Sequence, residues 1–211
     1  MGGAAYIFTG ENDANVMHNS SLINLNVLNE SVKYGIKKIF YSSSACMYPE
    51  HNQLDPNNPN CEESSAYPAN PDSEYGWEKL FSERMCRHFT EDFGLITRVV
   101  RYHNVYGPLG TFDGGREKAP AALCRKIIKA KIEKKNVIDV WGDGEQTRSF
   151  LYIDDCISGT KKVFESNYSE VFNVGSEEQV SINQMISIIE DIAEYKIKKN
   201  FQLDKPKGVR G

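Results

Sequence analysis

Ile36-Lys37-Lys38-Ile39-Phe40-Tyr41-Ser42-Ser43-Ser44-Ala45-Cys46 is the stretch whose reading decides the fold. Its first six residues are rich in β-formers and three serines close it, the pattern of a short strand buried in a parallel sheet. Upstream, Leu22, Leu25, Leu28 and Val32, with Ile23 and Val27 beside them, recur at helical spacing from about Ser21 to Gly35. Helix, glycine turn and strand are half of a βαβ unit. Downstream, Trp77, Leu80, Phe81, Met85 and Phe89 mark a helix over residues 75–93 that stops at Gly94, and the Val- and Ile-containing residues 95–102 read as a second strand. Two strands joined through a helix make a right-handed parallel crossover the default. Open parallel sheets bind ligands at the carboxyl ends of their strands, so Ser44 and Cys46 after one strand, and His103 and Asn104 after the other, become candidates.

Tyr75 and Lys79 open the second helix in Glu74-Tyr75-Gly76-Trp77-Glu78-Lys79. Positions i and i+4 share a helix face. A neighbouring ammonium favours ionisation of a phenol, whose unperturbed pKa of roughly 10 is too high for a base at neutral pH. Tyr75 is therefore a candidate acceptor of a proton from a substrate hydroxyl. An isolated YxxxK is most often a pair of surface residues, but this one follows a strand-end serine.

Residues 1–18 are rich in Gly and Asn, lack periodicity and read as a loop. Pro49, Pro56, Pro59, Pro68 and Pro71 make residues 48–73 a long unstructured connection, of the kind that is functional or disordered. Gly107, Gly110, Gly114 and Gly115 punctuate another loop, and Arg116-Glu117-Lys118 then leads into an Ala-rich helix over residues 120–131. Strands are expected at 137–141, 148–153 and 171–175, with a turn at Gly142-Asp143-Gly144. Asp154 or Asp155 is placed to cap a helix that runs to about Phe164. Ser181 precedes a helix whose Ile182, Met185, Ile186, Ile189 and Ile192 form a core-packing stripe, and a lysine-rich strand near 196–203 ends the regular structure.

A chain of 211 residues can bury the core of one large domain or one and a half. The net charge of -4 argues against a nucleic-acid partner, which would need a basic surface. Cys46, Cys61, Cys86, Cys124 and Cys156 are odd in number, dispersed and without a CxxC pair, so neither a disulfide framework nor a metal site is indicated. A reducing cytoplasm fits best. No apolar run has the length of a membrane span, and the start lacks a signal-peptide layout. Met1-Gly2 suggests myristoylation, but Tyr6 stands where that motif takes Ser or Thr.

Ser43-Ser44-Ala45-Cys46, the YxxxK, Arg101-Tyr102-His103-Asn104-Val105-Tyr106-Gly107-Pro108, and Trp141-Gly142-Asp143-Gly144 with Thr147-Arg148-Ser149-Phe150 resemble the extended short-chain dehydrogenase/reductase superfamily of nucleotide-sugar epimerases and dehydratases. Within it, Ser44-Ala45-Cys46-Met47-Tyr48-Pro49-Glu50 and Gly114-Gly115-Arg116-Glu117-Lys118-Ala119-Pro120-Ala121-Ala122 are close to the branch that inverts C3 and C5 of a GDP-linked hexose. Other branches usually have Thr or Ser at the position of Cys46 and lack the lysine loop. The resemblance covers nearly the whole chain. It implies an α/β fold: a partial Rossmann-like, doubly wound parallel sheet with a smaller α/β substrate-binding region. Residues 1–106 would be the C-terminal part of a dinucleotide-binding domain without its first βαβ unit. Residues 107–211 would be a mixed substrate-binding region with returning Rossmann segments. One departure stands out. No GxxGxxG lies between a strand and a helix; Gly107, Gly110 and Gly114 are wrongly spaced and follow the wrong strand. The family also continues past the position of Gly211, so the resemblance implies the interior of a longer enzyme.

The implied chemistry is epimerisation through a transient C4 ketone with NAD as cofactor. Tyr75, with Lys79 lowering its pKa, would take the proton from the C4 hydroxyl; both would also contact the cofactor, and Ser44 would hydrogen-bond the same oxygen. A C4 ketone acidifies the C3 and C5 protons. Cys46 and Lys118 would supply acid and base on opposite faces of the ring, a thiol and an amine that charge and burial can draw toward neutrality. Arg148, Lys126 and Arg210 are the implied cations for the diphosphate, with Gln146 and Thr147 beside Arg148. Gly2, Ala45, Asn104, Glu117 and Ala119 complete the implied substrate contacts. Plainer readings exist: Cys46 as a small packing residue, or Lys118 as a solvated lysine, although a cation at a helix start opposes the macrodipole. His103 reads equally as a nicotinamide-side residue and as a satisfied buried histidine. Cys61, Cys86, Cys124 and Cys156 read as structural. The resemblance implies a homodimer for the full-length protein. Alternatives are a nucleotide-sugar 4-epimerase or 4,6-dehydratase, against which the Cys46–Lys118 pair argues, and a catalytically silent nucleotide-sugar-binding fragment.

Overall fold

A computed structural model describes residues 4–7, 9–55 and 57–205. The elements run α1 (Ala4–Ile7), α2 (Asp13–Lys33), β1 (Lys38–Ser44), α3 (Glu74–Phe93), β2 (Ile96–Tyr102), β3 (Val105–Tyr106), α4 (Ala119–Ile132), β4 (Val137–Trp141), β5 (Thr147–Ser149), β6 (Leu151–Tyr152), α5 (Ile153–Glu165), β7 (Phe172–Val174), β8 (Gln179–Ser181), α6 (Ile182–Ala193) and β9 (Lys198–Gln202). Among the described residues, no helix is long and apolar enough to cross a membrane.

Strands β1, β2 and β7 form a parallel sheet in that order, with Lys38 opposite Ile96 and Ser44 opposite Tyr102. The two-residue period of a strand sends alternate side chains to opposite faces. Tyr41 and Val99 join Leu28, Cys86 and Leu95 in the core under α2 and α3. On the other face, Lys38 Nζ donates to the Phe164 carbonyl at 2.8 Å, Arg98 reaches the Ser166 carbonyl at 3.0 and 3.2 Å, and the Tyr102 hydroxyl meets Thr160. Helices therefore cover both faces, as a doubly wound sheet requires.

Ser73 starts α3 by accepting from the Gly76 amide at 3.3 Å, and Gly94 ends it in the left-handed region at φ 70°, open to glycine without strain. A second core joins Leu123, Ile127 and Ala130 of α4, Ile138 and Val140 of β4, and Ile182, Met185, Ile186 and Ile189 of α6. Strand β9 pairs with β4. The α6 start is a capping box: the Ser181 hydroxyl accepts from the Gln184 amide, and the Gln184 side chain accepts from the Ser181 amide.

Several sequence expectations shift. Helix α2 begins at Asp13, inside the stretch expected to be a loop, because tertiary packing of Val16 outweighs poor Asn and Ser propensity. Its Leu22, Ile23 and Val27 are about half exposed, so part of the apolar periodicity faces outward. The proline-rich connection is ordered by 3₁₀ turns at Glu50–Gln53 and Glu63–Ala66, and by a hydrogen bond from the Glu50 amide to the Asn70 carbonyl at 2.8 Å. The expected strand at 148–153 is two pieces with different partners: β5 antiparallel to β8, β6 parallel to β3. Asp154 and Asp155 lie in the first turn of α5, and Tyr152 takes the cap position.

Beneath the sheet's carboxyl end lies a buried ion pair. Arg101 forks onto Glu83 with bonds of 2.8, 3.1 and 3.3 Å, both side chains being almost wholly enclosed. Glu83 also accepts from Ser43, and Arg101 Nη1 donates to the Tyr48 hydroxyl and the Glu63 carbonyl, each at 3.0 Å. Replacing Glu83 by Ala strands a guanidinium without its carboxylate. Glu83→Ala is expected to lower unfolding free energy by ~3–5 kcal/mol in denaturant titration.

Candidate active site

The site is built where β1 ends. Ser44 leads into a 3₁₀ turn at Ala45–Met47, and its hydroxyl accepts from the Cys46 amide at 3.2 Å. That turn packs on the first turn of α3. A Cβ at position 76 would stand 2.1 Å from the Cys46 carbonyl oxygen and 2.8 Å from Pro71 Cβ. Glycine at 76 is what lets the Cys46 peptide lie against the helix that carries Tyr75 and Lys79. Ser44 draws down the pKa of both the Tyr75 phenol and the Cys46 thiol, against the burial that raises them.

Lys79 Nζ donates to the Ser42 carbonyl at 2.8 Å and lies 4.9 Å from the Tyr41 ring centre and 5.6 Å from that of Tyr75. Its charge therefore meets Tyr75 through the ring face. In place of the expected lowering, the Tyr75 phenol is held above its ordinary pKa, first by burial and then by Cys46, with Ser44 opposing. Burial lowers the Lys79 pKa, against the pull of Glu78 and Glu83.

Cys46 is an electrostatic meeting point. Burial pushes its thiol pKa up and Asp72 adds to this, while Ser44, Lys118 and Arg148 pull it down. Lys118 sits at the N-cap position of α4 without capping it. Burial lowers its amine pKa, opposed by Cys46 and Cys156. Burial likewise lowers Arg148, opposed by Cys46 and Asp72. The fold thus gathers Ser44, Cys46, Tyr75, Lys79, Lys118 and Arg148 from β1, α3, the α4 entrance and β5 into one electrostatically coupled group.

Other sequence candidates lie round this group or apart from it. Ala45 is in the Cys46 turn, and Ala119 packs against the second core. Asn104 Nδ2 donates to the Ser149 carbonyl at 3.0 Å, tying the end of β2 to β5. Thr147 supplies the carbonyl that accepts from Arg148 Nη1 at 2.5 Å. Gln146 is buried, with Nε2 on the Trp141 carbonyl at 3.1 Å and Oε1 enclosed without a hydrogen-bond partner. Glu117 accepts from Arg125 at 2.5 Å, and its other oxygen is enclosed without a partner. Lys126 Nζ donates to the Asp139 carbonyl at 2.7 Å, and its charged neighbours are Asp139, Arg125 and Glu117 rather than the Cys46 group. Gly2 and Arg210 lie outside the described residues.

Asn173, which belongs to no motif, ties the surroundings together. Asn173 Oδ1 accepts from the Tyr48 hydroxyl at 2.8 Å and from His103 Nε2 at 3.1 Å; its Nδ2 donates to the Cys61 carbonyl at 2.6 Å. Because that oxygen only accepts, His103 carries its proton on Nε2, and burial lowers its pKa toward the neutral ring. Of the two readings of His103, the geometry supports the satisfied one at Nε2. Asn173 stands 70 residues from His103 and 112 from Cys61, separations that no local pattern reveals.

A family model described as the NAD dependent epimerase/dehydratase family matches residues 3–175. The chain is 44% identical over its 211 residues to GDP-mannose 3,5-epimerase of Arabidopsis thaliana, covering 54% of that protein. It is 29% identical to GDP-L-fucose synthase of Sinorhizobium fredii over 200 residues, 93% of this chain and 62% of the other. Among solved structures, UDP-glucose 4-epimerase of Thermotoga maritima with UDP-glucose superposes with a TM-score of 0.76 at 29% identity, covering 89% of this chain and 57% of that one. The chain spans about half the length of the 3,5-epimerases it matches.

The contact at residue 76 is with backbone, so it cannot be relieved by a side-chain rotation. Gly76→Ala is expected to push the Cys46 peptide off α3 and to cost roughly 1–3 kcal/mol, read by thermal and denaturant unfolding.

Proposed function

The chain belongs to the NAD dependent epimerase/dehydratase family, and from that premise we propose that the full-length protein inverts C3 and C5 of GDP-mannose through a transient C4 ketone. One observation carries this reading: the Cys46 turn packs directly on the helix that carries Tyr75, where Lys118 draws its thiol down against the burial that raises it. A 4-epimerase needs only ketone formation and rotation of the sugar, and has no use for a second acid–base pair.

NAD would take the C4 hydride and return it. The residues here fit its nicotinamide-ribose end. Lys79 has three protons, one on the Ser42 carbonyl, and stands with Tyr75 at the carboxyl end of a parallel strand. Tyr75 accepts the proton from the C4 hydroxyl while Ser44 holds the same oxygen. The buried, raised phenol makes a stronger base once ionised, and an approaching cation on its hydroxyl side would bring the ionised form within reach. Cys46 and Lys118 then exchange protons with the ring carbons from their two sides. Arg148, whose charge acts on Cys46, binds the diphosphate in this reading.

We further propose that residues 1–106, with α5 and β7 returning to the sheet, serve the dinucleotide, and that the rest of 107–211 serves the sugar nucleotide. A homodimer is supported by the half-exposed Leu22, Ile23 and Val27 of α2 and Trp77 and Phe81 of α3. Five free thiols fit the cytoplasm.

Full-length protein incubated with NAD and GDP-mannose in deuterated water is expected to place deuterium at C3 and C5, located by NMR. Cys46→Ala should cut that incorporation ~100-fold or more while hydride transfer at C4 survives; undiminished exchange removes Cys46 from the mechanism. Tyr75→Phe should slow C4 oxidation by about the same factor, and an unchanged rate refutes its role.

A further inference from the structure

We propose that Tyr41, on β1, is a further positioning residue of this site: the face of its ring, with the Ser42 carbonyl beside it, holds the Lys79 ammonium at the Tyr75 ring. This inference deepens the reading of Tyr75 and Lys79 as the proton-accepting pair and rests on that reading for its catalytic meaning.

The geometry is that of one cation shared by two rings. Lys79 Nζ lies 4.9 Å from the Tyr41 ring centre and 5.6 Å from that of Tyr75. Both distances fall within the ~6 Å over which an aromatic face attracts a cation. Its hydrogen bond goes to the Ser42 carbonyl at 2.8 Å. Tyr41 and Ser42 are consecutive in β1, so one piece of strand supplies ring and carbonyl, and the pairing of β1 with β2 fixes that piece. The ring is held in place by the core, where buried Tyr41 packs among Leu28, Cys86, Leu95 and Val99.

A partly enclosed ammonium needs compensation for the water it has lost. The carboxylates whose charge reaches Lys79 are engaged elsewhere. Glu83 is held by Arg101 and Ser43, and Glu78 accepts from Asn24 at 2.8 Å and from Ser82 at 2.7 Å. Among the described residues, neither forms an ion pair with Lys79. The Tyr41 hydroxyl is enclosed and meets no hydrogen-bond geometry, although Ser82 stands close enough to act on it. What this side chain gives Lys79 is therefore its ring face.

Loss of the ring has two effects of opposite sign. Burial is the first influence on Lys79 and disfavours the ammonium; Glu78, Glu83 and Cys86 of α3 and Cys46 of the turn oppose burial. Taking away an attractive ring face destabilises the ammonium and moves the Lys79 titration to lower pH. Merely loosening the packing would relieve burial and move it to higher pH.

The titration is read in the full-length protein without nucleotides, from the pH dependence of trace acetylation by acetic anhydride, with Lys79 and the exposed Lys129 resolved by peptide mass spectrometry. Tyr41→Leu is expected to lower the Lys79 midpoint by ~0.4 to 1.5 pH units and to leave Lys129 unchanged. Tyr41→Phe, which keeps the ring, is expected to retain the wild-type midpoint. Pentafluorophenylalanine at position 41 keeps the shape of the ring but removes the negative charge of its face, and is expected to lower the midpoint as Tyr41→Leu does, which decides the matter if the leucine variant fails to fold. A midpoint at or above the wild-type value in either of these two variants overturns the proposal. So does a Tyr41→Phe midpoint lowered as far as theirs, which would assign the effect to the hydroxyl. The midpoints are read without turnover, so failure of GDP-mannose epimerisation and failure of this inference are separate outcomes.

Discussion

The buried pair of Glu83 and Arg101 is the interaction on which the remaining architecture depends. It joins α3 to β2, and through Ser43 it also holds the end of β1. Burial alone would lower the Arg101 pKa, but the Glu83 carboxylate outweighs it and holds the guanidinium charged. A charge enclosed this way is tolerable only when it is paired and further hydrogen-bonded. Arg101 adds to its carboxylate partner the Tyr48 hydroxyl and the Glu63 carbonyl. Those two contacts recruit the proline-rich connection, and Tyr48 passes the constraint to Asn173 on β7. One desolvated ion pair thus orients three strands, one helix and a loop.

On that platform the candidate site is a matter of close approach. Gly76 brings the Cys46 peptide onto α3, and Ser44 favours the ionised form of both the thiol and the phenol. Enclosure then acts in opposite directions on acids and bases. It raises the Cys46 thiol and the Tyr75 phenol and lowers the Lys79 and Lys118 amines, so at every one of these groups burial favours the neutral form over the ion.

Much of this was legible in the chain. The helix–strand–helix–strand order around Ile36 and Leu95, the YxxxK face, the Gly94 end of α3 and the α6 stripe up to Ile189 all arise from short-range periodicity and capping, whereas Ile192, expected in that stripe, is exposed because it lies on the outer side of α6. The strand-end position marked Cys46 as a candidate, whereas its pairing with Lys118 was visible only through resemblance, because a lone thiol and a lone amine have no spacing between them to read. The early start of α2, the split between β5 and β6, and the order within residues 48–73 were not legible. The split is decided by partner strands far along the chain, β8 for β5 and β3 for β6.

The sequence by itself determined the α/β alternation and which residue types stand at the strand ends, since backbone periodicity and caps act over a few residues. Tertiary structure alone decided which of them meet. Lys126 is drawn to Asp139, whereas Lys118 and Arg148 are drawn to Cys46. Asn173, which no motif marks, is brought against Tyr48 and His103 at the end of the sheet. The physical reason is that desolvation and charge pairing depend on distance in space, and positions 46, 118 and 148 lie far apart along the chain.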